Sequence, residues 1–245
     1  MTAWNALSRR RKLAVVALAI ALLLAFLPLR VVLDLGGAGG KGIAARQVRG
    51  SIWQGRIDDL SFGPVSLGDM KAAVAPGPLL LGRIRLDLEQ EGKEQGGGAA
   101  LRGAWISGFN RKGIADVNGS MATGSGLSAL PITALEWDGV TVEFAGDICA
   151  RAEGRLRIRL GGSYGGLNLS QGLSGPATCD GGAVLFALVS QTGMESLSLR
   201  VSRDGRYQAR LMIKGVDPEK GEALRAVGLK AQGDGYGIAM DGRIG

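Results

Sequence analysis

The sequence predicts a mainly β protein: a single N-terminal transmembrane helix followed by a twisted, largely antiparallel β-sheet domain with one or two short helices. Three observations carry this expectation. Glycine is abundant, 42 of 245 residues, while aromatic residues make up only 5%; glycine is costly inside helices and cheap at turns and bulges, so many short strands are favoured. Apolar and charged residues alternate with period two along much of the chain. One long uncharged run stands near the start.

That run, Leu13 to Leu29, reads LAVVALAIALLLAFLPL. As a helix it spans about 25 Å, and extension to Leu33 reaches about 31 Å, close to the thickness of a bilayer core. The sequence therefore predicts a transmembrane helix over 13–33, with Arg30 snorkelling to the headgroups and Pro28 disturbing only the last turn. Arg9, Arg10, Arg11 and Lys12 precede it. By the positive-inside rule they hold residues 1–12 in the cytoplasm and send the rest of the chain across the membrane. A cleaved signal peptide is the competing reading, with Gly36–Gly40 as its late cleavage candidate. The anchor is preferred because signal-peptide cores usually run roughly 7 to 15 residues and no small-x-small site follows promptly.

Residues 34–42 read as a glycine-rich tether. The segment GGAGGKG is not a phosphate loop: the position six before Lys41 is Leu35, and the position after it is Gly42. Residues 43–245 then form the periplasmic β-rich domain, with a possible internal break at 91–98. Ile84, Leu86 and Leu88 alternate with Arg83, Arg85, Asp87 and Glu89. Leu156, Ile158 and Leu160 alternate with Arg155, Arg157 and Arg159. Leu197–Val201 and Tyr207–Ile213 flank Asp204-Gly205, a hairpin signal. Ala183–Ser190 is expected to be a strand buried on both faces. Pro76–Gly82 reads as a turn or single helical turn, and a helix follows Asp217, with Pro218 at its first position and Gly228 as its stop.

Enzymatic chemistry finds little support. The chain has no histidine, which excludes the usual triads and zinc hydrolase sites. Asp58, Asp59, Asp87, Glu89, Glu136, Asp138 and Glu143 lie on alternating or turn segments, where solvated strand faces account for them. No catalytic, metal or cofactor residues are assigned. Four of the seven net positive charges sit at Arg9–Lys12, so the basicity is largely a topology signal and nucleic acid is not an expected partner. Cys149 and Cys179, both on the translocated side, are expected to form a disulfide rather than remain two buried thiols. Arg151, Arg155, Arg157 and Arg159 share one parity; a solvated strand face is the plain explanation, and a contact face for an acidic protein or lipid headgroups is the sharper one. Trp53, between Gly50 and Gly55, reads as a structural corner rather than a ligand platform.

These parts together resemble a known family. The anchor is followed by VRGSIWQG, with Val48, Gly50, Ser51, Ile52, Trp53 and Gly55 at marked positions, then Leu67-Gly68, then Pro78, Leu79, Leu80 and Gly82, with paired cysteines in glycine-flanked segments further on. This pattern resembles the type II secretion system protein N family. The resemblance implies a bitopic inner-membrane accessory component of a machine that exports folded proteins across the outer membrane, acting through contacts with other inner-membrane or periplasmic components and with membrane lipids around its helix. It implies no enzymatic activity and no cofactor. An anchored, one-face-apolar sheet also resembles AsmA-like lipid-transfer proteins, so a lipid-contacting module is the alternative.

Overall fold

A computed structural model describes residues 9–35, 43–62, 65–91, 100–122, 132–161, 163–164, 167–168, 172–226 and 228–243. Helices α1 (Arg9–Ala25) and α2 (Leu29–Leu35) open the chain. Strands β1 (Ile43–Ala44), β2 (Gln47–Ser51), β3 (Gln54–Phe62) and β4 (Val65–Val74) lead to the short helix α3 (Pro76–Leu80). Next come β5 (Ile84–Gln90), β6 (Arg102–Ser107), β7 (Arg111–Ala122), β8 (Ile132–Ala145) and β9 (Ile148–Leu160), then the small pair β10 (Ser163–Tyr164) and β11 (Leu167–Asn168). The chain closes through β12 (Leu173–Asp180), β13 (Ala183–Val189), β14 (Glu195–Ser202), β15 (Arg206–Lys214), α4 (Pro218–Ala226), β16 (Lys230–Gln232) and β17 (Gly235–Arg243).

Apart from β10 and β11, the strands form one 15-stranded antiparallel sheet in which successive strands mostly pair as a meander. Strands β5 and β6 pair directly, Leu86 opposite Trp105, so the sheet continues across 91–98. Because every strand reverses its predecessor, connections alternate between two ends of the sheet. The β2–β3, β4–β5, β6–β7, β8–β9, β12–β13 and β14–β15 connections share the end that carries α3. The β13–β14 turn lies at the other end, which carries α4.

Alternation sends one set of side chains to an apolar face, which holds two cores. One gathers Ile57, Leu60, Met70, Ala72, Val74 and Leu86 with Leu29 of α2. The other gathers Val140, Leu156, Ile158, Phe186, Leu188, Leu197 and Leu211 with Leu224 of α4. Both α2 and α4 thus pack on the face where the sheet is greasy. The named core side chains are at most 7% exposed, so each core is closed on the chain's own residues, while Leu88, Trp105, Ile114, Val117 and Leu135 on the same face are partly buried. Such burial contributes roughly 1.5–3 kcal/mol per large aliphatic side chain.

Two expectations are corrected. The apolar run is not one helix over 13–33: α1 stops at Ala25, and α2 starts after Pro28. Proline has no N–H to donate and disfavours helical backbone in the residue before it. The freed backbone joins the sheet instead, where Pro28 bridges Ser51 and the Ile52 N–H donates to the Leu27 carbonyl at 3.0 Å. Asp34 and Leu35, assigned to the tether, belong to α2, while 36–42 lie outside the described residues. No described helix is long and apolar enough to cross a membrane. The second correction concerns β13, expected to be buried on both faces: Val184, Phe186 and Leu188 are buried, but Ala187 and Val189 are exposed. It is a half-buried antiparallel strand whose outer side chains happen to be apolar.

Candidate interaction surface

The marked glycine-tryptophan segment is a hairpin. Gly50 of β2 pairs with Gly55 of β3, and Ile52-Trp53 are the two turn residues. Gly50 has φ +85°, where a side chain is strained. A Cβ on Gly55 would overlap Leu29 Cδ2, so this glycine makes room for α2. Ile52 is buried at the corner, and Trp53 packs against the same core, a structural corner in both cases. Gly68 (φ +73°) stands opposite Leu60, where the β3–β4 register shifts; Asp59, itself at φ +50°, donates its N–H to Asp69 Oδ1 at 2.9 Å.

Cys149 and Cys179 are joined by a disulfide with Cα atoms 5.5 Å apart. The bond ties the start of β9 to the end of β12, at the α3 end of the sheet. Those two strands pair in the ladder only further along, between Pro176–Leu173 and Arg155–Ile158; at this corner the bridge stands beside a single backbone bond, from the Cys149 N–H to the Gly181 carbonyl at 3.3 Å.

Arg151, Arg155, Arg157 and Arg159 are all exposed on β9, as their parity predicts. They are not a bare cationic ladder, because strand pairing brings carboxylates beside them. Arg157 Nη1 lies 3.3 Å from Glu136 Oε2, and Arg159 pairs with the other oxygen of the same carboxylate. Arg151 contacts Glu153 at 2.7 Å and Glu143 at 3.8 Å. The bond from Arg151 holds the Glu153 carboxyl below its usual range. Arg155 stands opposite Asp138 in register. Sequence parity captured one strand's face; its neutralisation depends on register with β8, which is a non-local property.

A second surface was missed. The polar face of β2–β7 forms an open concavity of about 980 Å³ lined by Arg49, Arg56, Lys71, Arg85, Arg102 and, of the carboxylates, Asp87, Glu89 and Asp116. Its central row is a run of direct cross-strand neighbours: Arg49 opposite Arg56, Arg56 opposite Lys71, Lys71 opposite Glu89, Glu89 opposite Arg102 and Arg102 opposite Asn118. Glu91 clamps both Arg56 and Lys71. Arg85 contacts Asp87 at 2.8 Å and Asp116 at 2.9 Å; the bond to Asp87, opposed by partial burial, raises the Arg85 pKa further. Trp53 stands in the lining too. The only trace in the sequence was the charged half of each alternating strand, which does not reveal which residues end side by side. The result is a concave face of both signs in which three cations, Arg49, Arg56 and Lys71, stand in succession before Glu89, suited to a protein surface of mixed charge. No group of metal-ligating side chains occurs among the described residues.

The family described as "Type II secretion system (T2SS), protein N" matches residues 41–239. The chain is similar to the type II secretion system protein N of Vibrio cholerae serotype O1, 27% identical over 188 residues, which covers 71% of this chain and 73% of that one. No solved structure matches. With the match running through the hairpin, the concavity and the disulfide, over well more than half of the chain, the chain belongs to the type II secretion system protein N family.

Proposed function

We propose that this type II secretion component is a non-enzymatic accessory part of the machine, held at the bacterial inner membrane by α1 with its sheet in the periplasm, and that it works by docking other components of the apparatus. The observation that carries the docking role is the concavity over β2–β7, where charged side chains from six adjacent strands converge on one open face. Such rows are costly to assemble without purpose in stability, since exposed ion pairs contribute only about 0–1 kcal/mol each, but they give a partner orientation and specificity. The disulfide fits an oxidising compartment. The exposed apolar side chains of α1, Leu13, Leu18 and Leu22, fit a helix covered by lipid.

The lipid-carrier alternative would need an apolar face open to acyl chains. The described apolar face is filled by the chain's own leucines, isoleucines and valines, and the large concavity is lined by charge. Protein docking is therefore the better-supported activity.

The test is co-purification from membranes of full-length protein carrying Arg56→Glu, Lys71→Glu and Arg102→Glu. Loss of co-purifying secretion components, with thermal stability close to that of the parent, is the expected result. Retention of every partner at parental level would overturn the docking site. A deletion strain with unimpaired export and unaltered assembly would overturn the accessory role itself.

A further inference from the structure

We infer that the α3 end of the sheet is a membrane-docking edge, whose exposed apolar tips enter the interfacial layer of the same bilayer that α1 enters. This rests on the membrane-anchor part of the proposed function and adds to it a fixed orientation of the sheet.

The first support is connectivity. Helix α1 ends at Ala25, and Leu27 is already hydrogen-bonded to Ile52 in the β2–β3 turn. Only Phe26, 77% exposed, separates helix from sheet, and one or two residues reach at most about 7 Å. The helix therefore emerges from the α3 end with no slack. The flexible segment expected to suspend the domain comes later, after α2 has packed Leu29 into the core.

The second is length. With Arg9–Lys12 at its start, the uncharged part of α1 with Phe26 runs from Leu13 to Phe26, about 21 Å of helix against a hydrocarbon core of about 30 Å. Snorkelling of the four basic side chains and local thinning absorb part of the difference. The remainder draws the attached end of the sheet against the bilayer.

The third is what that end displays. Among the described residues, the large apolar side chains most exposed outside α1 and its Phe26 link are Phe109 (101%), Leu80 (89%), Leu81 (74%) and Ile148 (65%). They come from three separate connections, α3–β5, β6–β7 and β8–β9, and topology places all three at the α3 end. The first two meet: the Phe109 ring lies over Gly82, where an added Cβ would be 3.0 Å from Cε2. The second and third are joined by the Gly146 N–H donating to the Asn110 carbonyl at 3.0 Å. Exposed Arg83 lies beside them, its Cγ 3.4 Å from where a Cβ on Gly108 would stand, as suits anionic headgroups beside an apolar wedge. Among the described residues, the α4 end offers Val189 and Met194, each about half exposed, and α1 joins the sheet at the opposite end.

The experiment uses the full chain reconstituted in vesicles of phosphatidylethanolamine and phosphatidylglycerol. Cys149 and Cys179 are bonded to each other, so a single introduced thiol can be labelled with an environment-sensitive fluorophore in Leu81→Cys, Phe109→Cys, Met194→Cys and Leu18→Cys. A nitroxide carried on the lipid near the headgroup is expected to reduce emission at 81 and 109 by about twofold or more, as for groups buried ~5–10 Å into the interface, while 194 responds only to an aqueous quencher. If 81 and 109 respond as 194 does, the docking edge is overturned. Lipid quenching at 18 separates the two ideas: quenched there but not at 81 and 109, the anchor stands and the docking fails; unquenched at all three, the anchor has failed as well.

Discussion

At the residue scale, small side chains decide where large ones can go. Gly55 is the clearest case, because the space a Cβ would occupy is filled by Leu29, and Leu29 is wholly buried. Gly55→Val should expel Leu29 and loosen α2, at a cost of about 1–3 kcal/mol typical of overpacking, read as a lower urea midpoint. An unchanged midpoint would mean that α2 is not seated on β3. The disulfide is the second residue-scale determinant. Cysteines 30 positions apart in sequence close a loop for which removal of the bond costs roughly 3–4 kcal/mol through the entropy of the unfolded chain. Cys149→Ala with Cys179→Ala should show that loss, and the parent under reductant should match it. The cysteine pairing was legible because an isolated pair of thiols, on a chain whose N-terminus reads as a translocation signal, has few other uses. Ile52 as a buried turn residue was not, since nothing local distinguishes an aliphatic side chain at a hairpin corner from one in a strand.

At the element scale, the legible parts were those whose signals are local. Alternation from Arg83 to Glu89 marked β5, Pro218 marked the first turn of α4, and Gly228 (φ +96°) stops it. Asp204-Gly205 marked the β14–β15 hairpin, and its chemistry can be tested. The Arg206 N–H donates to Asp204 Oδ1 at 3.2 Å, which with the Arg206 charge holds the Asp204 carboxyl below its usual range. A carboxyl with a depressed folded-state pKa adds stability above its unfolded pKa of about 3.9, and that addition is lost as pH falls through the folded value. Asp204→Asn should therefore melt below the parent at neutral pH, and the two curves should converge in strong acid. A difference that persists at low pH would assign the effect to turn shape rather than charge. What local signals could not give was the split of the apolar run into α1 and α2. Hydropathy is the same whether Leu29 and Leu33 face lipid or a sheet; only Pro28 hinted at the break, and the strand edge that receives the freed backbone lies more than twenty residues later. The concavity was illegible for a similar reason, since Arg56, Lys71, Glu89 and Arg102 are adjacent only through register.

At the scale of the whole molecule, the folded unit begins before the glycine-rich segment rather than after it. Leu27, Leu29 and Leu33 all contribute to the N-terminal core, so α2 acts as a lid at one end of the apolar face, as α4 does at the other. Processing within Gly36–Gly40 would remove that lid and expose Ile57, Met70 and Leu86, side chains now at most 2% exposed. Two truncations separate the helices. Removal of residues 1–26 takes away α1, whose described side chains Leu13, Leu18 and Leu22 are exposed, and should leave a domain with close to parental cooperativity in urea. Removal of residues 1–35 also deletes the buried Leu29, with Leu27 and Leu33 beside it. The Leu29 transfer term alone is worth roughly 1.5–3 kcal/mol, and the emptied face adds the attraction of exposed apolar surfaces for one another. That variant should unfold at lower urea and self-associate. Equal midpoints for the two truncations would show that α2 is dispensable to the fold of the sheet.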